Sequence, residues 1–370
     1  MPNVPNLIGG SKPPLSMMGT LLRMAAIGVV LAGFAGAFAY VGGWFSPHRL
    51  TPDRLLAAIQ SDGHQHEGFR RNHAKGVCAA GWFDGNGGAA TLSRAALFQA
   101  GHIPVIARFS LAGSLPFQPD TPQQVDALAL RVMPPGAEEW RTAMINLPVF
   151  VANTVEAFYA LAVNSAPDPA TGKPDPAKMQ AFFAAYPATA RALGVVQKRK
   201  IAAGFGDETF NSLDAFRFVA ADGTVTGVRW SFVPIAPPTV SPPVAGDKNF
   251  LFDELIAEVT AHPLQWRMIV TVAGPGDVTA DPTVAWPADR RTVDAGTLTI
   301  DHLSAEADGA CDAVVFDPLV LPDGITPSDD PIPAARSAAY ARSFTLRAGE
   351  QGEKPPTAVT PQEVAAGGKS

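Results

Sequence analysis

Two sets of side chains in this sequence are spaced for chemistry. In Arg70-Arg71-Asn72-His73-Ala74-Lys75-Gly76 an imidazole stands among cations. Imidazole titrates near neutrality, so it can take a proton from one atom and return it to another. A lone histidine is usually an ordinary surface or core residue, and this segment alone decides little. The second set is Arg336-Ser337-Ala338-Ala339-Tyr340. On a helix, positions i and i+4 share a face, so the Arg336 guanidinium can reach the Tyr340 oxygen. A phenol with a reference pKa of about 10 is protonated at neutral pH, and a nearby cation favours its anion. Between these sets lie Arg108-Phe109-Ser110 and Asn146-Leu147-Pro148-Val149-Phe150, and Arg347 follows Tyr340.

Other chemistries find no support. Gly204-Phe205-Gly206 lacks the third glycine and the flanking elements of a phosphate loop, and no GxSxG elbow is present. Two cysteines make neither a zinc site nor a disulfide framework. With 28 Lys plus Arg against 34 Asp plus Glu, the net charge of -6 offers no footprint for nucleic acid.

The elements that must position these residues follow from pattern. A chain of 370 residues, 47% hydrophobic, can bury a large core, while 35 Pro and 34 Gly imply many loops. Residues 103–110, 126–133, 215–233 and 264–273 alternate or are rich in β-branched and aromatic residues, which predicts strands. Ala221-Asp222-Gly223-Thr224 predicts a hairpin turn. Residues 154–163, 176–193 and 251–261 read as helices, and Thr51-Pro52-Asp53 starts another. No long-period repeat is present. The expected class is α+β, with a mainly antiparallel sheet or barrel.

Met24 to Phe45 carries no charge and is long enough to span a bilayer. Lys12 and Arg23 lie upstream, so a retained anchor would leave residues 1–23 cytoplasmic and the rest beyond the membrane. A signal peptide cleaved near Ala37-Phe38-Ala39 is the competing reading. Either places the main domain in a periplasmic or other extracytoplasmic setting. That setting permits a Cys78–Cys311 bridge, although nothing in one sequence brings the two together. Residues 348–370 hold few core anchors and are expected to form a flexible tail.

The order of the four motifs, R..HAKG, RFS, N.PVF and R...Y with a further arginine seven residues on, resembles the haem catalases. Phe158, Trp286-Pro287 before Gly296-Thr297-Leu298-Thr299-Ile300, and Phe316-Asp317-Pro318 leading to Pro322-Asp323-Gly324-Ile325 add to the likeness. It covers residues 47–347. The long amino-terminal arm and the carboxyl-terminal helical domain of full catalases are missing, so the chain looks like the small catalase-related peroxidases.

The resemblance implies a catalase-like antiparallel β-barrel with surrounding helices and a haem b cofactor. Tyr340 would be the axial iron ligand, held as the anion by Arg336. His73 would be the acid–base group, with Ser110 orienting its ring and Asn146 bonding to bound peroxide. Arg70, Arg108 and Arg347 match the propionate-binding arginines, and Phe150 and Phe158 would pack on the porphyrin.

Two departures stand out. Asp214 occupies the place of a histidine near the proximal arginine, adding a second carboxylate to Asp330, which the family pairs with that arginine. Asn72 replaces a valine and makes the distal pocket more polar. The expected function is reduction of hydrogen peroxide or organic peroxides by an external donor, with weaker catalase activity. An isomerase of the allene oxide synthase type and a non-catalytic haem-binding barrel are the alternatives. Without the interwoven arms, a monomer or dimer is expected.

Overall fold

The computed structural model describes residues 16–42, 44, 49–60, 66–235, 247–350 and 358–367. The chain divides into two compact units, 1–51 and 52–370.

The first unit contains helix α1 (Met17–Val41), begun by Ser16, whose side chain accepts from the Gly19 N–H. Its mean hydropathy reaches 2.0 and none of it is buried, so it is long and apolar enough to cross a membrane. The expected segment before residue 16 and the end of the apolar run at Phe45 lie outside the described residues.

The second unit opens with α2 (Pro52–Ile59), then β1 (Gly76–Gly85), β2 (Gly101–Leu111), β3 (Asp126–Val132) and β4 (Trp140–Ile145). Three helices follow: α3 (Val155–Asn164), α4 (Pro176–Ala185) and α5 (Pro187–Val196). Next come β5 (Phe210–Asn211), β6 (Phe216–Val219), β7 (Val225–Pro234), α6 (Phe250–Ala261), β8 (Leu264–Val272) and β9 (Thr292–Ser304). The chain ends with β10 (Ile325–Pro327), α7 (Ile332–Gly349) and α8 (Pro361–Ala365).

Every strand pair is antiparallel, and the β7–β8 pairing closes the sheet into a barrel of eight strands, with β6 and β10 as an extension beside β7. Closure removes the exposed edges that an open sheet would leave. One face of the strands fills the barrel with Phe83, Phe109, Leu128, Met144, Trp266 and Leu298, each at most 1% exposed. The alternate positions of β2, β3 and β4 therefore face outward. They include Arg108, Ser110, Ala127, Ala129, Ala143 and Ile145, which form the floor of the site described below.

Two expectations need correction, and the pairing left open between the cysteines is answered. The single helix read over 176–193 is two helices, broken at Tyr186 (φ -125°, ψ 68°), because the residue before Pro187 is excluded from helical backbone. The flexible tail from 348 onward does not describe its far part. Val359 is 1% exposed within the core, and Thr360 and Glu363 cap α8 reciprocally. Residues 351–357 lie outside the description. The two cysteines do meet: Cys78 on β1 is bonded to Cys311 across 233 residues of sequence.

Closing so long a loop restricts the unfolded chain. Replacing both cysteines by serine is expected to lower the unfolding free energy by about 2–5 kcal/mol. Urea denaturation of the variant against the oxidised wild type measures it.

Candidate active site

A cavity of about 470 Å³ lies between the outer face of β2–β4 and helices α2, α3 and α7. From α7 it takes Arg336, Ala339, Tyr340, Ser343 and Arg347, the repeat of one helical face. From the sheet it takes alternate residues of β2 and β3 and, from β4, Ala143, Met144 and Ile145. Ala129 pairs directly with Ala143, so the floor is flat and shallow there. Phe150 and Phe158 stack at 5.6 Å on another wall.

His73 lines this cavity in a left-handed backbone conformation, φ 53°. Its segment is pinned on both sides. The Ala74 N–H donates to the Gly113 carbonyl at 3.0 Å, and Asn72 Oδ1 accepts from the Gly113 N–H at 3.1 Å. Lys75, 1% exposed, donates to Asp120 at 2.6 Å and to the carbonyls of Gln118 and Lys248. A Cβ at Gly76 would stand 2.7 Å from the Phe109 carbonyl oxygen, a backbone atom that cannot swing aside, so glycine is required where β1 passes β2. Ser110 Oγ stands 3.5 Å from His73 Nδ1.

Burial, reinforced by the charges of Arg108, Arg336 and Arg70, pushes the imidazole down to about 3. At neutral pH it is an uncharged base. Unfolded histidine binds a proton below its ordinary 6.5, which the folded ring refuses. The ring's contribution to stability is therefore expected to fall as pH drops from about 6.5 towards 3, and the difference in slope between wild type and His73→Gln in urea titrations at stepped pH measures it.

Arg336 Nε and Nη2 stand 3.4 and 3.3 Å from the Tyr340 oxygen. Nη2 also donates to the Ala143 carbonyl at 2.8 Å, and Nη1 to Asp214 at 2.6 Å. Asp214, at the position where the resemblance places a histidine, is thus the direct ionic partner of Arg336. Asp330 is not: its Oδ1 accepts from the Ile332 N–H at 2.9 Å, at the start of α7. The expected Asp330–Arg336 pairing is corrected accordingly.

Arg70, Arg108 and Arg347 also line the cavity. Arg108 donates to both oxygens of Glu306, at 2.7 and 2.9 Å, and Arg70 Nε lies 3.4 Å from the same carboxylate. Arg347 pairs with Asp312, and Arg70 donates to the carbonyls of Cys311 and Val314. The disulfide therefore fastens β1 to the loop that holds two of these arginines. Burial is opposed and outweighed by Arg108, Arg70 and Arg347, which hold the Glu306 carboxyl down at about 2. Burial together with Arg108 and Arg347 depresses Arg70 to about 9. Three guanidiniums face two carboxylates, leaving positive charge at this end.

Asn146 does not line the cavity. Its amide donates to Glu208 at 2.7 Å and its carbonyl accepts from the Asp126 N–H at 3.1 Å. Its neighbours Ile145 and Leu147 face the cavity, whereas Asn146 faces a second one of about 670 Å³ with Lys198, Arg199 and Glu208. The hydrogen bond to peroxide expected of it is not offered by this geometry. Glu306 and Asp312 escaped sequence reasoning because they meet their arginines across long loops, with no local spacing to mark them. Lys75 was visible only as part of a motif, and its role is to anchor the loop.

The residues fit a haem. The cavity is apolar and has a flat alanine floor, a single arginine-held phenol, a neutral imidazole and an end of excess positive charge suited to carboxylates. The fold is a closed antiparallel barrel of the catalase type, and its family and relatives make the chain an oxidoreductase that acts on peroxide. The chain belongs to the catalase family, whose family model (Catalase) matches residues 55–367.

It is 38% identical over 327 residues to a "Catalase-related peroxidase" of Synechococcus elongatus, covering 88% of this chain and 93% of that one. To another of that name from Mycolicibacterium paratuberculosis it is 33% identical over 304 residues, covering 81% and 96%. A solved bacterial catalase superposes with a TM-score of 0.66 at 20% identity, over 82% of this chain but 62% of that one, a likeness of fold alone. The isomerase and non-catalytic readings are not favoured by these relatives.

Proposed function

We propose that this protein is a haem-dependent peroxidase that reduces hydrogen peroxide or organic peroxides at the expense of an external donor. The observation that carries it is the meeting in one cavity of His73, distant in sequence, with the Arg336–Tyr340 pair. Haem b, when bound, supplies the iron and the electrons for cleaving the O–O bond.

The protein's own residues have distinct tasks. Tyr340 is the candidate iron ligand, and Arg336 keeps positive charge beside its oxygen. The positive end formed by Arg70, Arg108 and Arg347 would receive the propionates, while Phe150 and Phe158 supply apolar wall. His73 is neutral, so it can accept a proton from peroxide and return it to the departing oxygen. Ser110 limits the rotation of that ring. Asn72 adds less polarity to the cavity than its type suggests, since its oxygen is already engaged by the Gly113 N–H.

In the same reading, α1 anchors the protein in the membrane or acts as an export signal, with the enzyme outside the cytoplasm as a monomer or dimer. The disulfide supports that compartment.

Steady-state assays with hydrogen peroxide alone, and with peroxide plus a phenolic donor, test the proposal. Donor oxidation should dominate. Rapid oxygen release without donor oxidation would overturn it in favour of a catalase.

A further inference from the structure

The end of the cavity behind Tyr340 holds more carboxylate than its arginine needs. Asp214 is 1% exposed; one oxygen accepts from Arg336, and the other, Oδ1, has no partner. Asp330 is 6% exposed; its Oδ1 accepts from the Ile332 N–H, and Oδ2 has no partner. A buried acceptor left unpaired is costly. These two carboxyl groups stand within reach of a side-chain hydrogen bond to each other. Ionised carboxylates only accept, so that bond requires a proton between them.

The surrounding charges point the same way. Helix α7 contributes Arg336 and Tyr340, and β7 contributes Arg229, which acts electrostatically on both aspartates. Arg229 donates to the carbonyls of Val284 and Asp281, and beyond it lie the carboxylates of Asp281 and Asp277. With Arg290, the partner of Asp277, three guanidiniums here face the four carboxyl groups of Asp214, Asp330, Asp281 and Asp277. One retained proton restores the balance.

We propose that Asp214 and Asp330 share a single proton in the folded protein, so that the pair bears one negative charge and Arg336 keeps its positive field on Tyr340. Both aspartates are positioning residues, acting on the phenol through Arg336. Burial and the charge of Asp214 push the Asp330 carboxyl up to about 7, and burial shifts Asp214 in the same direction. The titration belongs to the pair. The proton itself is independent of the haem reading; only its effect on Tyr340 rests on that reading.

Infrared spectra of the purified full-length protein, stepped in pH, test the proposal beside Asp330→Asn and Asp214→Asn. The wild-type spectrum minus that of Asp330→Asn should show a buried protonated-carboxyl band below neutrality that disappears as pH passes about 7, because the buried Glu258, also raised to about 7, contributes equally to both and cancels. Asp330→Asn removes the band of the pair, since its amide gives the free Asp214 oxygen the hydrogen that the shared proton gave.

In urea denaturation the folded pair holds a proton that unfolded aspartates, at 3.8, release. The pair therefore contributes a one-proton decline in stability between about pH 4 and 7, opposite in sign to the share of His73, and the difference in slope between wild type and Asp330→Asn isolates it. The visible spectrum of the haem-loaded wild type should shift through neutrality while that of Asp330→Asn stays constant. A difference spectrum that lacks this band overturns the proposal. A band that titrates as described in a protein that never takes up haem would sink the haem reading and leave the shared proton standing.

Discussion

Tyr340→Phe is expected to fold normally and to lose haem. The substitution removes one oxygen and keeps the ring in its place on α7. Arg336 loses contacts of 3.3 and 3.4 Å but keeps Asp214 at 2.6 Å and the Ala143 carbonyl at 2.8 Å, so no buried charge is stranded. No other side chain named on the cavity wall offers a phenol oxygen; His73 is the nearest alternative donor and is held from another segment.

Three readouts follow. Titration of hemin into the variant should give no Soret band of a phenolate-ligated ferric haem. Hemin should raise the melting temperature of the wild type but not of the variant, since a ligand at a thousand times its Kd stabilises by about 4 kcal/mol. Peroxidase turnover should fall by more than the roughly 10–100-fold that loss of an outer-shell partner costs. A variant that binds hemin with an unchanged spectrum would remove Tyr340 from the metal site.

Tyr340 and Arg336 were legible because both sit on one element, and helical geometry alone brings i and i+4 together. The hairpin at Asp222-Gly223 was legible for a similar reason. The Thr224 N–H donates to Asp222 at 2.9 Å and Gly223 takes φ 87°, both local events written in four residues.

The barrel was legible only in part. Strands β2, β3, β7 and β8 carry alternation or β-branched residues. Strand β1 reads GVCAAGWFDG, too rich in glycine and alanine to announce itself, and forms because β2 and β9 pair with it on both sides. Strand β9 mixes Asp, Gly and Thr with its apolar residues and is fixed by the same long-range pairing.

The site divides along that line. Spacing put Arg336 within reach of Tyr340, whereas the candidate ligand role of that pair and the remaining residues came from order and resemblance. The partners of the arginines came from neither: Arg108 and Glu306 are 198 residues apart, and Arg336 and Asp214 are 122 apart. Asn146 shows the converse failure. A motif identifies the residue but not the side of the strand end it faces, and a one-residue alternation sends its amide to Glu208 while Ile145 and Leu147 face the cavity.

His73→Ala should separate holding the haem from using it. The variant keeps a Cβ, so the left-handed backbone at φ 53° is no more strained than before, and the anchors at Ala74, Asn72 and Lys75 are untouched. Hemin binding and the ligand spectrum, assigned by the proposal to Tyr340 and the arginines, should survive.

Turnover should not. Moving a proton between the two peroxide oxygens needs one group that is uncharged before the step and can carry the proton during it. At neutral pH the depressed imidazole meets the first condition, and its ordinary chemistry meets the second. Water in its place lacks a fixed position, and Ser110 lacks the basicity. Loss of such a group costs on the order of 10²–10⁴ in rate, which stopped-flow mixing of the haem-loaded variant with hydrogen peroxide and a phenolic donor would register as a fall in kcat/KM. Because the folded imidazole stays uncharged down to about 3, the wild-type rate should hold through mildly acidic pH instead of falling near 6.5. Turnover in His73→Ala equal to that of the wild type would assign the proton transfer elsewhere.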